Sequence, residues 1–239
     1  MQPEHETIWL CWSASFLLFG AILFTIHPQS RKGMIRVGLF IMPSGLFQYL
    51  YLSDYWKPPT LFGLAGRYGF DLESLIYAFA SPAVVFAMYG LFQERILKKE
   101  IRRQLNWTEG WIYFAVAILI FVMSYLAGLN SIYASHVALL ITSLYGLWRT
   151  KVNLRLLAMT TSLFTLLYTI AFLGVHLYEP SYITTYWKLD ALSGVLVSGI
   201  PLEELLFGFL AGLFYTMLSA VLLKPDTNRE HLQPRKVAT

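Results

Sequence analysis

Charge is what this 239-residue sequence has least of. Asp, Glu, Lys and Arg together make up 13%, where a soluble domain carries about a quarter. Hydrophobic residues reach 56%, aromatic residues 16%, and the mean hydropathy is +0.54. This deficit excludes an ordinary soluble domain. It points to an all-α polytopic membrane protein whose apolar surface is covered by lipid and by helix-on-helix packing. Cysteine is nearly missing as well. Cys11 stands alone, so it can form no internal disulfide and reads as a small packing residue. With no C-x-x-C pair and no Cys/His cluster, no metal is expected. No G-x-G-x-x-G follows a strand, so neither a flavin nor a nicotinamide site is expected and no cofactor is assigned. A basic secretory leader is also lacking: Glu4 and Glu6 precede the first apolar stretch, which reads as a retained helix.

What is present is a series of seven apolar segments bounded by charges, Pro or Gly. They run over Ile8–Ile26, Met34–Leu52, Leu72–Phe92, Trp107–Leu126, Ile132–Trp148, Leu154–Leu177 and Pro201–Leu223. The tail from Lys224 to Thr239 is polar and reads as disordered. Basic residues fall in alternate loops. The loops after segments one, three and five, with the tail, hold 15 of the 18 Lys and Arg, leaving Lys57, Arg67 and Lys188 on the other side. The excess predicts seven transmembrane helices in the plasma membrane, with the N-terminus outside and the C-terminus in the cytoplasm. It also accounts for the net charge of +4 through contacts with anionic lipid, and nucleic acid is a poor alternative partner.

An internal repeat organises these segments. Tyr55-Trp56-Lys57 returns as Tyr186-Trp187-Lys188, and Gly69-Phe-Asp-Leu-Glu-Ser-Leu75 aligns with Gly199-Ile-Pro-Leu-Glu-Glu-Leu205. The offsets differ by one residue. In this register Glu73 corresponds to Glu203, Ser74 to Glu204, Tyr77 to Phe207 and Ala78 to Gly208. The division is a first three-helix unit over 1–103, a linker helix in 104–130, a second unit over 131–223 and a tail over 224–239. Three crossings repeated directly would invert the second copy, and the linker helix restores its direction. Both repeat carboxylates, Glu73 and Glu203, are then expected near the outer surface, facing one another.

The stretch Gly199–Leu210 places two acidic residues at the mouth of the last apolar run. Pro201 suits a first helical turn, and Glu203 and Glu204 favour the positive end of the helix dipole. Glu203 shares a face with Phe207 and Phe214. Glu204 lies above Gly208 and Gly212, a G-x-x-x-G strip that admits another helix backbone. A carboxyl group just inside a membrane is a functional-site hypothesis, set against the plainer reading of a helix-start acid at the interface. An acid held in an aromatic, water-poor pocket suits protonation of a carbon–carbon double bond, and aromatic faces stabilise the resulting cation. Trp56, Trp187, Tyr55, Tyr186, Tyr77 and Phe207 are the candidate walls, against an ordinary role in the interfacial aromatic belt.

Gly199–Leu210 resembles the P-L-E-E-x-x-F signature of the lycopene cyclase domain family, and the preceding Tyr186-Trp187 fits it too. The duplication looks like the fused tandem form of these small membrane carotenoid cyclases. The first repeat departs, with Asp71-Leu72-Glu73-Ser74 in place of Pro-x-Glu-Glu. The resemblance implies an isomerase-type, redox-neutral ring closure of an acyclic carotenoid end group. In it Glu203 acts as the acid, Glu204 orients or shares its proton, and Glu73 serves the other half-site. The substrate implied is a hydrophobic polyene. Further partners compatible with it are a second copy or other enzymes of carotenoid synthesis.

Three other readings stay open. A non-catalytic isoprenoid-binding or assembly protein could use the same repeat. A small transporter would be expected to place more polar residues deep in several helices. An intramembrane protease of the E-E-x-x-x-R type lacks its Arg, Gly208 standing there, and shows no partner His/Asn motif. His136 and His176 read as packing histidines rather than ligands, Asp54 and Asp190 as loop residues, and Gln48 as part of a shared polar layer with His176. Asn106-Trp-Thr108 matches a glycosylation triplet but falls on the basic side.

Overall fold

The computed structural model describes residues 3–98 and 105–223. Lys99, Arg102 and Arg103 of the basic loop, and the polar tail over 224–239, lie outside the described residues. The described helices are α1 (Pro3–Ile26), α2 (Arg31–Ile41), α3 (Gln48–Asp54), α4 (Leu64–Tyr68), α5 (Leu72–Leu97), α6 (Trp107–Leu126), α7 (Ser131–Arg149), α8 (Leu154–Tyr178), α9 (Tyr182–Tyr186) and α10 (Leu202–Leu222). Seven stretches are long and apolar enough to span a bilayer: His5–Ile26, Pro28–Asp54, Leu72–Leu97, Trp107–Leu126, Ser131–Arg149, Leu154–Tyr178 and Leu202–Leu222. The protein is an all-α integral membrane protein, and each span overlaps the segment read from hydropathy.

Helices α5 and α10 form the buried centre. Helix α5 packs on α1 and α2, α10 packs on α7 and α8, and α5 reaches across to α8 and α10. Small residues let the backbones close in, as expected where lipid removes any hydrophobic drive between helices. Buried Ala78, Ala80, Ala83 and Ala87 line α5. On α10, a Cβ at Gly208 would stand 2.4 Å from the Tyr168 ring, and one at Gly212 would stand 2.9 Å from Phe164. The G-x-x-x-G face therefore receives α8.

The second span is broken rather than continuous. Its middle, Met42–Phe47, winds as a 3-10 helix between α2 and α3. Pro43 removes a backbone donor, and Gly45 presses on α5, where an added Cβ would lie 2.8 Å from the Ser74 carbonyl. Pro82, by contrast, sits inside an uninterrupted α5. Cys11 is exposed on α1, not packed as expected.

The two repeat motifs start their helices differently. Asp71 caps α5 by accepting from the Ser74 N–H at 2.5 Å. At α10 a small hairpin does this work: β1 (Leu196–Val197) pairs antiparallel with β2 (Ile200–Pro201) around Ser198-Gly199. Both turn residues have positive φ, 51° and 79°, the arrangement that matches strand twist in a two-residue hairpin. Pro201 thus occupies the cap position rather than the first helical turn, and the Leu202 N–H donates to the Val195 carbonyl at 2.9 Å. Polar contacts fasten the loops at this end. The Asp54 carboxylate accepts from the Ser131 N–H at 2.9 Å and hydroxyl at 2.6 Å, fixing the start of α7. At the opposite end, Asn106 caps α6 by accepting from the Glu109 N–H, a structural use of the glycosylation-like triplet.

Burial raises the Asp71 carboxyl from its ordinary 3.8 to about 6, outweighing the lowering effect of the Ser74 N–H. The folded state then holds this proton more tightly than the unfolded chain. The stability contributed is present below about 3.8 and is lost as pH rises through about 6. Asp71→Asn keeps the side-chain acceptor and removes the titration. Thermal melts in detergent micelles at pH 4 and pH 7 should show a smaller fall for the variant than for the native chain.

Candidate functional site

The two Tyr-Trp-Lys copies lie against one another as an antiparallel bridge between Trp56 and Trp187. The Lys57 N–H donates to the Tyr186 carbonyl at 2.8 Å and the Lys188 N–H to the Tyr55 carbonyl at 2.9 Å. These reciprocal bonds carry Tyr55 from one half and Trp187 from the other onto the same side chain, Glu204. Its Oε1 accepts from the Tyr55 hydroxyl and from the Trp187 indole N–H at 2.9 Å. Its Oε2 accepts from the Tyr168 hydroxyl of α8 at 2.6 Å. Glu204 is 5% exposed, and Tyr55, Trp187 and Tyr168 are all buried. Burial dominates at Tyr55, holding its phenol well above the usual tyrosine range and so keeping it a donor.

Below this cradle opens a cavity of about 200 Å³. Among the described residues Glu204 is the one acid in its lining, and the walls are mostly rings and aliphatic side chains. From α1, Trp9 and Trp12 stack at 4.2 Å, and Trp12 stacks in turn on Tyr77 at 5.0 Å. Trp56 stands edge-on to Trp9 at 4.4 Å. Phe207 and Phe214 of α10 and Tyr168 of α8 complete the ring-lined part. Ser44, Gln48 and Tyr51 of the second span and Tyr55 just after it follow helical spacing and all line the cavity. Tyr51 hydrogen-bonds Ser135, and the Gln48 amide nitrogen is buried with no protein partner.

The residues singled out from the sequence therefore divide. Glu204, Tyr55, Trp56, Tyr77 and Phe207 line the cavity, and Trp187 supports it by holding Glu204. Glu203 and Glu73 do not line it. Instead each acid ties down its own loop. Glu203 Oε1 accepts from the Ser193 N–H at 2.8 Å and the Tyr133 hydroxyl at 2.8 Å. Glu73 Oε1 accepts from the Leu61 N–H at 2.7 Å. In each case the other carboxyl oxygen is buried without a partner. Each of these two carboxylates is taken up by the loop before its own helix. Tyr186 points away from the cavity and hydrogen-bonds His5 Nδ1 at 2.8 Å.

The histidines have structural positions. His136 Nε2 donates to the Glu203 carbonyl at 3.0 Å. The His176 ring lies under Gly199, where a Cβ would come within 2.2 Å of it, so this turn requires glycine for space as well as for φ. No cluster of three His, Cys, Asp or Glu that could hold a metal is found among the described residues. Trp9, Trp12 and Tyr168 were missed in the sequence. The signal for the first two was the Trp9, Trp12, Phe16 spacing along one helical face.

Residues 130–222, the stretch from the α7 cap through α10, match the family model described as lycopene cyclase. No curated protein and no solved structure matches the chain. The matched stretch contains Glu204, Tyr168 and Trp187, whereas Tyr55 and the α1 tryptophans lie outside it.

The contact between Gly208 and Tyr168 ties helix packing to the site. Gly208→Ala forces the Tyr168 ring aside and should lower stability by about 1–3 kcal/mol. Gly174→Ala meets nothing within 4 Å and should leave stability level or slightly raised through helix propensity. Thermal melts of the two variants in micelles make the comparison.

Proposed function

We propose that this chain, with a lycopene cyclase domain in its second half, closes the acyclic end group of a carotenoid by acid catalysis, with Glu204 as the proton donor. The observation that carries the assignment is that, among the described residues, Glu204 is the one acid lining the aromatic cavity. This moves the donor role from Glu203, named first on sequence grounds, to its neighbour. Glu203 and Glu73 hold the two loops that frame the site.

The Glu204 carboxyl transfers its proton to the terminal double bond of the end group, leaving a carbocation. The internal double bond attacks that carbon, a ring bond forms and the charge moves into the ring. Loss of a proton from an adjacent carbon to the Glu204 carboxylate restores the acid and leaves a ring double bond. Atoms and electrons balance without an oxidant or a reductant, so the reaction is an isomerisation. Hydrogen bonds from Tyr55, Tyr168 and Trp187 hold the carboxylate while it is charged. The faces of Trp12, Trp56 and Tyr77 are suited to the cation through their ring quadrupoles.

The first repeat has Ser74 where the second has Glu204, and Ser74 also lines the cavity. One acid serves one end group at a time, so a second ring would require the product to turn and bind again. The basic loops support an orientation with the Glu204 end of the bundle facing outward and the basic loops in the cytoplasm.

Pigment chromatography of lycopene-producing bacteria expressing the chain tests this reading. The native chain should yield cyclic carotene, and Glu204→Gln should lower it at least a hundredfold, the low end of general acid catalysis. Glu203→Gln, outside the cavity, should retain conversion at a reduced level. Cyclic product from Glu204→Gln at the native level would refute the assignment. Lycopene carried unchanged by the folded native protein would favour the isoprenoid-binding alternative.

A further inference from the structure

The cavity is bounded on one side by two helical stretches whose backbones meet at no more than isolated points: the broken second span and α6. Rings close this seam at its two ends. Toward one end Phe40 sits against Trp107, Trp111 and Phe114, at 5.4, 4.6 and 5.3 Å. Toward the other, Tyr51 stacks on Phe121 at 6.2 Å, and Phe121 stacks on Tyr125 at 6.1 Å. Phe47 from the 3-10 stretch packs on Phe121 at 5.7 Å, and Ala117 and Ile118 follow on α6 between Phe114 and Phe121; all of these line the cavity. Phe47, Phe114 and Ile118 are also partly exposed. All three lie within stretches long and apolar enough to span a bilayer.

In the second span Gly45 draws the 3-10 middle against the α5 backbone, where an added Cβ would lie 2.8 Å from the Ser74 carbonyl. The α6 positions Phe114, Ala117, Ile118 and Phe121 follow i, i+3, i+4, i+7 spacing and present one apolar face to the opening.

We propose that this seam is a lateral portal and chain-binding groove. A polyene slides in from the bilayer between the second span and α6, and its unreacted remainder stays seated there while its end group reaches Glu204. The inference rests on the polyene reading above. It follows from size: a cavity of about 200 Å³ holds one end of a full-length carotene, and the remainder must leave through an apolar opening. The seam, lined by rings and aliphatic side chains and open to lipid, is continuous with the cavity and supplies that opening. Phe47 and Ala117 set its width.

Fluorescence of the native tryptophans reports occupancy, because Trp9, Trp12 and Trp56 line the cavity and a bound polyene quenches them by energy transfer. Native protein in liposomes is mixed with liposomes carrying lycopene, and the rate of quenching is followed. Ala117→Phe should slow it at least tenfold by filling the seam, whereas Phe47→Ala should speed it severalfold by widening it. Leu119→Phe, on the lipid-facing side of α6 at 62% exposure, should match the native rate. Melting temperatures confirm that each variant is folded, and Phe47→Ala keeps the test decisive if Ala117→Phe does not fold. Native-like rates in both seam variants would overturn the portal and leave the cyclisation reading untouched. Opposite shifts in the two variants, with no cyclic product formed, would support the portal while refuting cyclisation. Absence of quenching in the native protein would overturn both.

Discussion

The site depends on one pair of main-chain hydrogen bonds, Lys57 N–H to the Tyr186 carbonyl and Lys188 N–H to the Tyr55 carbonyl. Two loops from distant parts of the chain are joined there as the shortest of antiparallel bridges. The consequence is that a phenol from one loop and an indole from the other point at the same carboxyl oxygen. Lys188 strengthens the junction by donating to the carbonyls of Leu52 and Ser53 near the end of α3. Without this bridge Glu204 would be a buried acid with Tyr168 as its one donor. An ionisable group at that depth is costly unless its oxygens are satisfied.

The two matched sequence motifs are used differently in the site. At matching positions, Glu73 and Glu203 each accept an N–H from the loop before their own helix. At the next position the halves diverge, serine in one and glutamate in the other. Tyr55 and Trp187 are then used on Glu204, whereas Tyr186 hydrogen-bonds His5 and Trp56 joins the ring wall against Trp9. Two acids in one small apolar cavity would oppose each other's ionisation.

Much of this was legible in the sequence, and the limits have physical causes. The seven spans follow from runs of apolar residues, and the Gly208/Gly212 face was correctly read as a strip for close helix approach. The paired Tyr-Trp-Lys motifs drew attention to residues that turn out to touch. The choice between Glu203 and Glu204 was not legible. Adjacent helical positions point about 100° apart, and which direction holds the cavity depends on where α1 and α8 lie. Trp9, Trp12 and Tyr168 escaped for a related reason: in an apolar membrane helix a ring facing lipid and one facing a cavity look alike. The break in the second span could be suspected from Pro43, yet Pro82 leaves α5 intact, and the contact of Gly45 with α5 distinguishes the two.

The central claim is that Glu204, alone among the acids of the described structure, presents a proton to an apolar ligand in the cavity. Dicyclohexylcarbodiimide, which is lipid-soluble and attacks protonated carboxyl groups, tests this without relying on turnover. Peptide mass mapping of the treated native protein should locate the adduct on Glu204, and prior loading with lycopene should prevent it. An adduct on Glu203 or Glu73 with Glu204 unmodified, or labelling of Glu204 that lycopene does not affect, would contradict the account.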